Sequence, residues 1–344
     1  MNVLFHNIYD SINQDNNLFE TSNVSIGDNL LSPFNLLGKE AEKLNVNVGT
    51  YAKIPLEEAE VVVFIDHPNI NDRIFKYAQS NGIKMFLISL ESPIVSKNVL
   101  NKTHHQPFFK VFTWSDELVA SNPEKYIKIN YTYDIRINFD IETRREKDFV
   151  IIAGNKKSSE KNELYSVRLH CIKWFEKHYP NSLDLFGFGW KLTAFNNDYF
   201  LGRIFTRINR RLSFFKNEFK VYKGSVDRKH EVLKNYNYSI CFENVFGYSG
   251  YITEKIFDCF LAGTIPIYKG APNILDHIPS NCIIMFDDFK DLNSMYDYLI
   301  NISEATLIEY RDNIRTFLTS QKIKNFQNSF FASTILNEIN SLVK

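Results

Sequence analysis

The sequence has few cysteines and no pair of them at metal-binding spacing. Cys171, Cys241, Cys259 and Cys282 are scattered, with no C-x-x-C among them. A zinc site and a disulfide framework are therefore not expected; buried free thiols are. Lys plus Arg and Asp plus Glu both number 40, so the formal net charge is zero. No basic field is available for wholesale nucleic-acid binding. The amino terminus, MNVLFHNIYD, has no basic n-region and no long apolar h-region. The longest apolar runs, VVVFI at 61–65 and MFLISL at 85–90, are strand-sized, far below the ~18 residues of a spanning helix. The expectation is a soluble, cytoplasmic chain. There is no Walker loop, no H-E-x-x-H, no G-x-S-x-G and no Asp-x-Asp, so no metal site is expected. His67, His104 and His105 have no ligand-like partner and read as satisfied loop histidines.

What is present is a repeated alternation of strands and helices over 344 residues, enough for two domains. Strands are expected at 2–5, 46–50, 61–65, 84–89, 109–113 and 125–130, with helices at 30–44, 72–80 and from Ser115. This reads as a first α/β domain over 1–140 with a mostly parallel sheet. Residues 131–147 are more charged and less regular, and form the expected linker. A second α/β domain, 148–322, opens with DFVIIAG, the polar loop NKKSSEKN, a helix at 163–178 and a strand at 182–186. Ser225 is placed to cap a helix at 226–236. A last helix is expected over 323–344. Cys171 and Cys259 fall in expected helices, Cys241 and Cys282 in expected strands.

The most informative stretch is 238–273, YSICFENVFGYSGYITEKIFDCFLAGTIPIYKGAPN. It reads as strand, loop, helix, strand, with Gly263 closing the helix. Such units lie in parallel sheets, whose ligands bind beyond the carboxyl ends of the strands. Glu254 suits the first turn of the helix, but Lys255 does not, since a cation there opposes the helix dipole by a few tenths of a kcal/mol. A bound anion would reverse that penalty. The competing reading is a solvent-facing Glu–Lys pair. Glu243-Asn244 directly after the strand, with two glycines in the loop, favours the anion site. Asn155, in a loop between strand and helix, and Arg168, in the helix after it, are weaker phosphate candidates; an arginine amid VRLHCIKWF is more often salt-bridged than ligand-binding, but a guanidinium can read a diphosphate bidentately. Glu91 ends the strand KMFLISL. A partly desolvated carboxylate there would have a raised pKa and suit a general base, or it could simply cap nearby amides.

The run FENVFGYSGYITEKIFDCFLAGTIPIYKGAPN resembles the donor-binding signature of the α-1,3-fucosyltransferase family, glycosyltransferase family 10. LESP at 90–93 resembles the acceptor-side Glu-Ser-Pro of that family. The stretches DFVIIAGN…YSVRLHCIKWF and GSVDRKHEVLKNYNYSICF are similar to its strand-loop-helix region and its approach to Phe-Glu-Asn. The resemblance implies a GT-B architecture: two Rossmann-like domains facing across a cleft, with C-terminal helices. It implies a bacterial-type, inverting enzyme that moves L-fucose from GDP-β-L-fucose to a glycan hydroxyl. That acceptor is expected to be α-1,3 on a GlcNAc-type sugar of a surface polysaccharide, lipopolysaccharide or other lipid-linked glycan. No cofactor and no essential divalent metal are expected.

Carried over by position, Glu91 would be the general base. Arg168 and Lys255 would hold the diphosphate, Glu254 the ribose hydroxyls, and Tyr251 would lie near the guanine. Asn155, Lys229, Glu243 and Asn244 would complete the donor pocket. Another GDP-deoxysugar, or a silent nucleotide- or glycan-binding module, are the alternatives. The segment 199–219, YFLGRIFTRINRRLSFFKNEF, departs from the pattern. Its arginines among apolar residues suggest peripheral contact with anionic lipid at the inner face of the cytoplasmic membrane, or with a lipid-linked acceptor; the alternative is an extra helix packed on the second domain.

Overall fold

The structure is a computed structural model that describes residues 1–20, 31–137, 139–196, 199–212 and 215–342. It contains two six-stranded sheets, and every strand pairing within them is parallel. The chain divides into two compact units. The first holds 1–135, 249–252 and 321–344; the second holds 136–248 and 253–320.

In the first unit the strands are β1 (Asn2–Asn7), β2 (Asn47–Gly49), β3 (Val61–Ile65), β4 (Lys84–Ser89), β5 (Lys110–Thr113) and β6 (Tyr126–Lys128), in the order β2-β1-β3-β4-β5-β6. All five residues of β3 are buried, as a parallel strand covered on both faces requires. Helices Arg73–Ser80 and Asp116–Ser121 start where Asp72 and Ser115 accept backbone N–H groups of the first turn. The chain's last helix, Asn328–Asn340, packs on the Ser32–Lys43 helix. Phe331, Ala332, Ile335 and Leu336 close one core cluster with Phe34, Leu37 and Ala41.

In the second unit β7 (Lys147–Ile152), β8 (Leu183–Phe186), β9 (Tyr222–Gly224), β10 (Tyr236–Phe242), β11 (Ile265–Lys269) and β12 (Ile284–Met285) run in the order β12-β11-β10-β7-β8-β9. The strand order reverses between β1 and β3 in the first sheet and between β7 and β10 in the second. Doubly wound sheets bind ligands beyond the carboxyl ends of the strands at these switch points.

Three expectations are corrected. The helix expected at 226–236 is only Lys229–Leu233, and Arg228 rather than Ser225 precedes it. Its expected end, Tyr236, is already paired with Lys147 in β10; seven consecutive buried residues fix that strand over weak helical periodicity. Cys282 lies in a 3-10 turn, Ser280–Cys282, not in a strand. The edge strands β9 and β12 are too short for a period-two pattern to reveal. All four cysteines are buried and free.

Candidate functional site

The second unit gathers its charged residues at the carboxyl ends of β7 and β10. Glu243 follows β10 directly and is fully buried. Its Oε1 accepts the Thr253 N–H at 2.8 Å, and its Oε2 accepts the Thr253 hydroxyl at 2.6 Å and Lys255 Nζ at 3.1 Å. Thr253 stands at the cap of the Glu254–Leu261 helix, yet its hydroxyl serves Glu243 and makes no side-chain cap. The buried carboxylate thus ties the strand to the helix start and holds Lys255 in place. Gly270 is demanded by the same packing: a Cβ there would sit 2.5 Å from Glu243 Cγ and 2.6 Å from the Tyr268 hydroxyl.

Lys255 also meets Thr253 Oγ1 at 2.8 Å and Glu254 Oε1 at 3.8 Å. Arg168, 4 % exposed, donates to the backbone carbonyls of Phe242 at 2.8 Å and Glu243 at 3.2 Å. Burial lowers its pKa, against the opposing pull of Tyr165 and Glu243. Lys229 pairs with Asp258 at 2.7 Å. Burial alone would lower the Lys229 pKa; Asp258 and Glu254 overturn that and raise it. For Glu254, burial opposes ionisation, but Lys255 and Lys229 win and hold the carboxyl at about 2. Arg168, Lys229 and Lys255 all border one small cavity of ≈30 Å³. The space has room for about one or two waters. The three cations on its border are held by Asp258, by Glu243 and by backbone carbonyls. Lys255, at a helix start, is the one where an anion is favoured.

Asn244 and Asn155 act through the loops. The Asn244 carbonyl accepts from Leu164 N–H, at the foot of the Tyr165–His178 helix that carries Arg168. The Asn155 amide donates to the carbonyls of Gly189 and Leu192, holding the loop after β8.

The first unit holds Glu91 and Tyr251. Glu91 is half-buried and held by its backbone. Asp66 Oδ1 accepts the N–H groups of Leu90 at 2.9 Å and Glu91 at 3.0 Å. The Trp114 indole donates to the Glu91 carbonyl at 3.2 Å, and the Tyr131 hydroxyl donates to the Leu90 carbonyl. Asp66 adopts φ +59°, a left-handed conformation rare for a side-chain-bearing residue. Burial pushes its carboxyl up to about 6, the two amides notwithstanding. Tyr251, assigned by the resemblance to the guanine, is 2 % exposed, with its ring 4.8 Å from that of Trp114 and 6.2 Å from that of Tyr131. It braces the indole that holds Glu91. Gly250, at φ +83°, has no room for a side chain, because a Cβ would lie 2.3 Å from the Trp114 carbonyl oxygen.

At the switch point between β1 and β3 lies a cavity of ≈490 Å³, lined among others by His6, Asn7, Asp10, Asn13, His67 and Asn69. His67 is not the hydrogen-bonded loop histidine expected from the sequence. Both ring nitrogens are buried with no hydrogen-bond partner among the described residues, and the ring stacks on His105 at 5.1 Å. Burial, then His105 and His104, lower its pKa to about 3.

Sequence reasoning missed Asp66, Trp114, Thr253 and Asp258. Asp66 carried the one usable signal, a carboxylate directly after the apolar strand VVVFI. No cluster of His, Cys, Asp and Glu that could hold a metal is found among the described residues.

With the geometry in place, the chain can be set beside known proteins. Residues 207–331 match "Glycosyltransferase family 10 (fucosyltransferase) C-term". This stretch is similar to the C-terminal domain of glycosyltransferase family 10. The matched stretch includes Lys229, Glu243, Asn244, Tyr251, Glu254 and Lys255, while Asn155, Arg168 and Glu91 lie before it. The chain is 40% identical over 75 residues to the "Alpha-(1,3)-fucosyltransferase FucT" of Helicobacter pylori, covering 22% of this chain and 16% of that protein. It is 28% identical over 78 residues to the "Alpha-(1,4)-fucosyltransferase" of Arabidopsis thaliana, covering 23% of this chain and 19% of that protein. The aligned stretch thus spans less than a fifth of these relatives. In structure, the chain is similar to an α1,3-fucosyltransferase crystal structure, with a TM-score of 0.55 at 15% identity, over 98% of this chain and 89% of the other. It is also similar to WaaG, a glycosyltransferase involved in lipopolysaccharide biosynthesis, with a TM-score of 0.53 at 8% identity, over 96% and 98% of the chains. These likenesses show the fold, two Rossmann-like α/β domains of the GT-B type ahead of C-terminal helices.

Proposed function

We propose that the protein is an inverting glycosyltransferase that moves L-fucose from GDP-β-L-fucose to a hydroxyl of a glycan. The observation that carries this reading is the trio Arg168, Lys229 and Lys255 round one space at the start of a helix in the matched stretch. A departing nucleoside diphosphate gains negative charge as the glycosidic bond breaks, and preorganised cations stabilise that charge. Arg168 and Lys255 are assigned to the diphosphate. Glu254, held ionised by its neighbours, is assigned to the ribose hydroxyls. Glu243 has its carboxylate committed to Thr253 and Lys255, so its part is to position Lys255 rather than to meet the donor.

Glu91 is assigned as general base. It takes the proton of the acceptor hydroxyl as that oxygen attacks the anomeric carbon, and GDP leaves from the opposite face. One displacement of this kind turns a β donor into an α product. The cavity at the β1/β3 switch point, rich in amide and imidazole groups, suits a sugar acceptor. A GlcNAc-type residue of a surface polysaccharide or lipid-linked glycan is the acceptor class this reading favours. Cationic side chains serve the leaving group, so the reading requires no divalent metal: transfer in EDTA is expected to proceed at the uninhibited rate.

A donor screen tests the reading. GDP-fucose, other GDP-deoxysugars and UDP-sugars are offered with N-acetyllactosamine-type acceptors, and products are followed by mass. Transfer from GDP-fucose alone supports it. Preference for a different GDP-deoxysugar keeps the mechanism but replaces the donor, whereas tight GDP binding without transfer to any acceptor leaves a binding module.

A further inference from the structure

The Phe200–Leu212 helix is attached to its unit by the wrong side for a soluble amphipathic helix. At about 100° per residue its positions fall into three stripes. Gly202, Thr206 and Asn209 face the protein and are the half-buried and buried positions. Asn209, 3 % exposed, donates to the carbonyls of Thr193 and Phe215 and accepts the Phe215 N–H at 2.8 Å. The segment is pinned further by the Leu192–Lys216 bridge. A second stripe, Leu201, Ile204, Phe205, Ile208 and Leu212, is 63, 38, 46, 41 and 54 % exposed. Beside it runs a third stripe of exposed arginines, Arg203, Arg207 and Arg211. A helix normally buries its apolar stripe and shows its polar one. Here the small and polar stripe makes the attachment, and the apolar stripe faces outward except where the Phe205 ring meets that of Phe195 at 5.7 Å.

We propose that this helix is a docking surface for an anionic lipid bilayer, lying in the plane of the headgroups. Thirteen residues are too short to span the hydrocarbon, and no helix among the described residues is long and apolar enough to do so. An in-plane helix needs only an apolar face and a flank of cations, and both are present. Charge selects the occupant. From Tyr199 to Asn217 there are five basic residues and no acidic one. Two copies of this chain meeting through the same patch would bring like-charged stripes together, whereas acidic headgroups neutralise them. The inference is independent of the transfer reaction, since none of these residues belongs to the donor or acceptor sites.

Vesicle sedimentation tests it with the full chain. Phosphatidylglycerol-containing vesicles are compared with pure phosphatidylcholine vesicles, for the unaltered protein, for Arg207→Ser/Arg211→Ser, and for Ile204→Ser/Ile208→Ser. The unaltered protein is expected to sediment with anionic vesicles, and each double variant to bind about tenfold more weakly or less. The substituted side chains are exposed, so thermal midpoint and GDP binding are expected to stay unchanged and serve as folding controls. Failure of the unaltered protein to bind, or equal binding by both variants, overturns the proposal. Concentration-dependent dimerisation that is lost in the Ile204→Ser/Ile208→Ser variant assigns the face to a second copy and overturns it as well.

Discussion

The two units end their sheets in the same way and hold their functional side chains in opposite ways. At the edge of the second sheet carboxylates hold the lysines, Glu243 gripping Thr253 and Lys255 and Asp258 gripping Lys229, while Arg168 is held by the backbone carbonyls of Phe242 and Glu243. At the edge of the first, Glu91 is gripped by its backbone, through Asp66, Trp114 and Tyr131 acting on the amides and carbonyls of Leu90 and Glu91. The difference follows from the chemistry each edge is assigned. A cation that binds a phosphate must stay charged, and buried carboxylate neighbours keep it so. A base must stand at a fixed place relative to the hydroxyl it deprotonates, and fixing the backbone at Leu90 and Glu91 does that.

The contrast can be broken from either side. The largest effect is expected for Glu91→Gln. Transfer should fall by about 10²–10⁴-fold, as for loss of a general base, while GDP affinity measured by calorimetry stays the same. Lys255→Met should lower kcat by about 10²–10³-fold through loss of charge stabilisation, and should weaken GDP binding too. Glu243→Ala attacks the scaffold rather than the chemistry. It removes the carboxylate shared by Thr253 and Lys255, and a loss of about 3 kcal/mol in urea denaturation is expected.

Asp66 separates charge from geometry. Asp66→Asn keeps an acceptor for the two amides and tolerates the left-handed backbone, so activity should stay within a few-fold. Asp66→Ala loses the acceptor and adds strain, and should reduce kcat about tenfold with KM for the donor unmoved. The smallest effects are in pH. Asp66 has a folded pKa of about 6 against an ordinary 3.8, so its burial costs nothing at low pH and destabilises progressively as pH rises from about 4 through 6. Glu254, at about 2 against 4.5, contributes stability above its ordinary pKa that is lost as pH falls toward 2. In thermal midpoints followed across pH, Asp66→Asn should flatten the decline between pH 4 and 6, and leave the fall toward pH 2 unaltered.

Much of the second edge was legible in the sequence. Residues 238–273 contain strand, loop, helix and turn in one run, and Lys255 stands in the first turn of the helix as expected. The ion pairs of that edge are local, within some thirty residues of one another, while Arg168 reaches the Phe242 and Glu243 carbonyls from farther away in the chain. The first edge was much less legible. Asp66, Glu91, Trp114 and Tyr131 stand far apart in the chain, and three of them act on backbone atoms, which leave no residue-type signature. Tyr251 shows the same limit in another form. It is written inside the donor signature, yet residues 249–252 pack with the first unit, and the ring braces Trp114. The helix at 200–212 was visible as basic and amphipathic, but which stripe faced outward depended on Asn209 finding Thr193 and Phe215.

The central claim is that Glu91 activates an acceptor for a single displacement at the anomeric carbon of a GDP-linked sugar. Nuclear magnetic resonance of the product made from GDP-β-L-fucose, by the unaltered protein and by Glu91→Gln, tests it most directly. An α-L-fucoside is expected from the unaltered protein, and about a hundredth as much or less in the same time from the variant. A β-linked product, or an α-linked product formed equally well by Glu91→Gln, would contradict it.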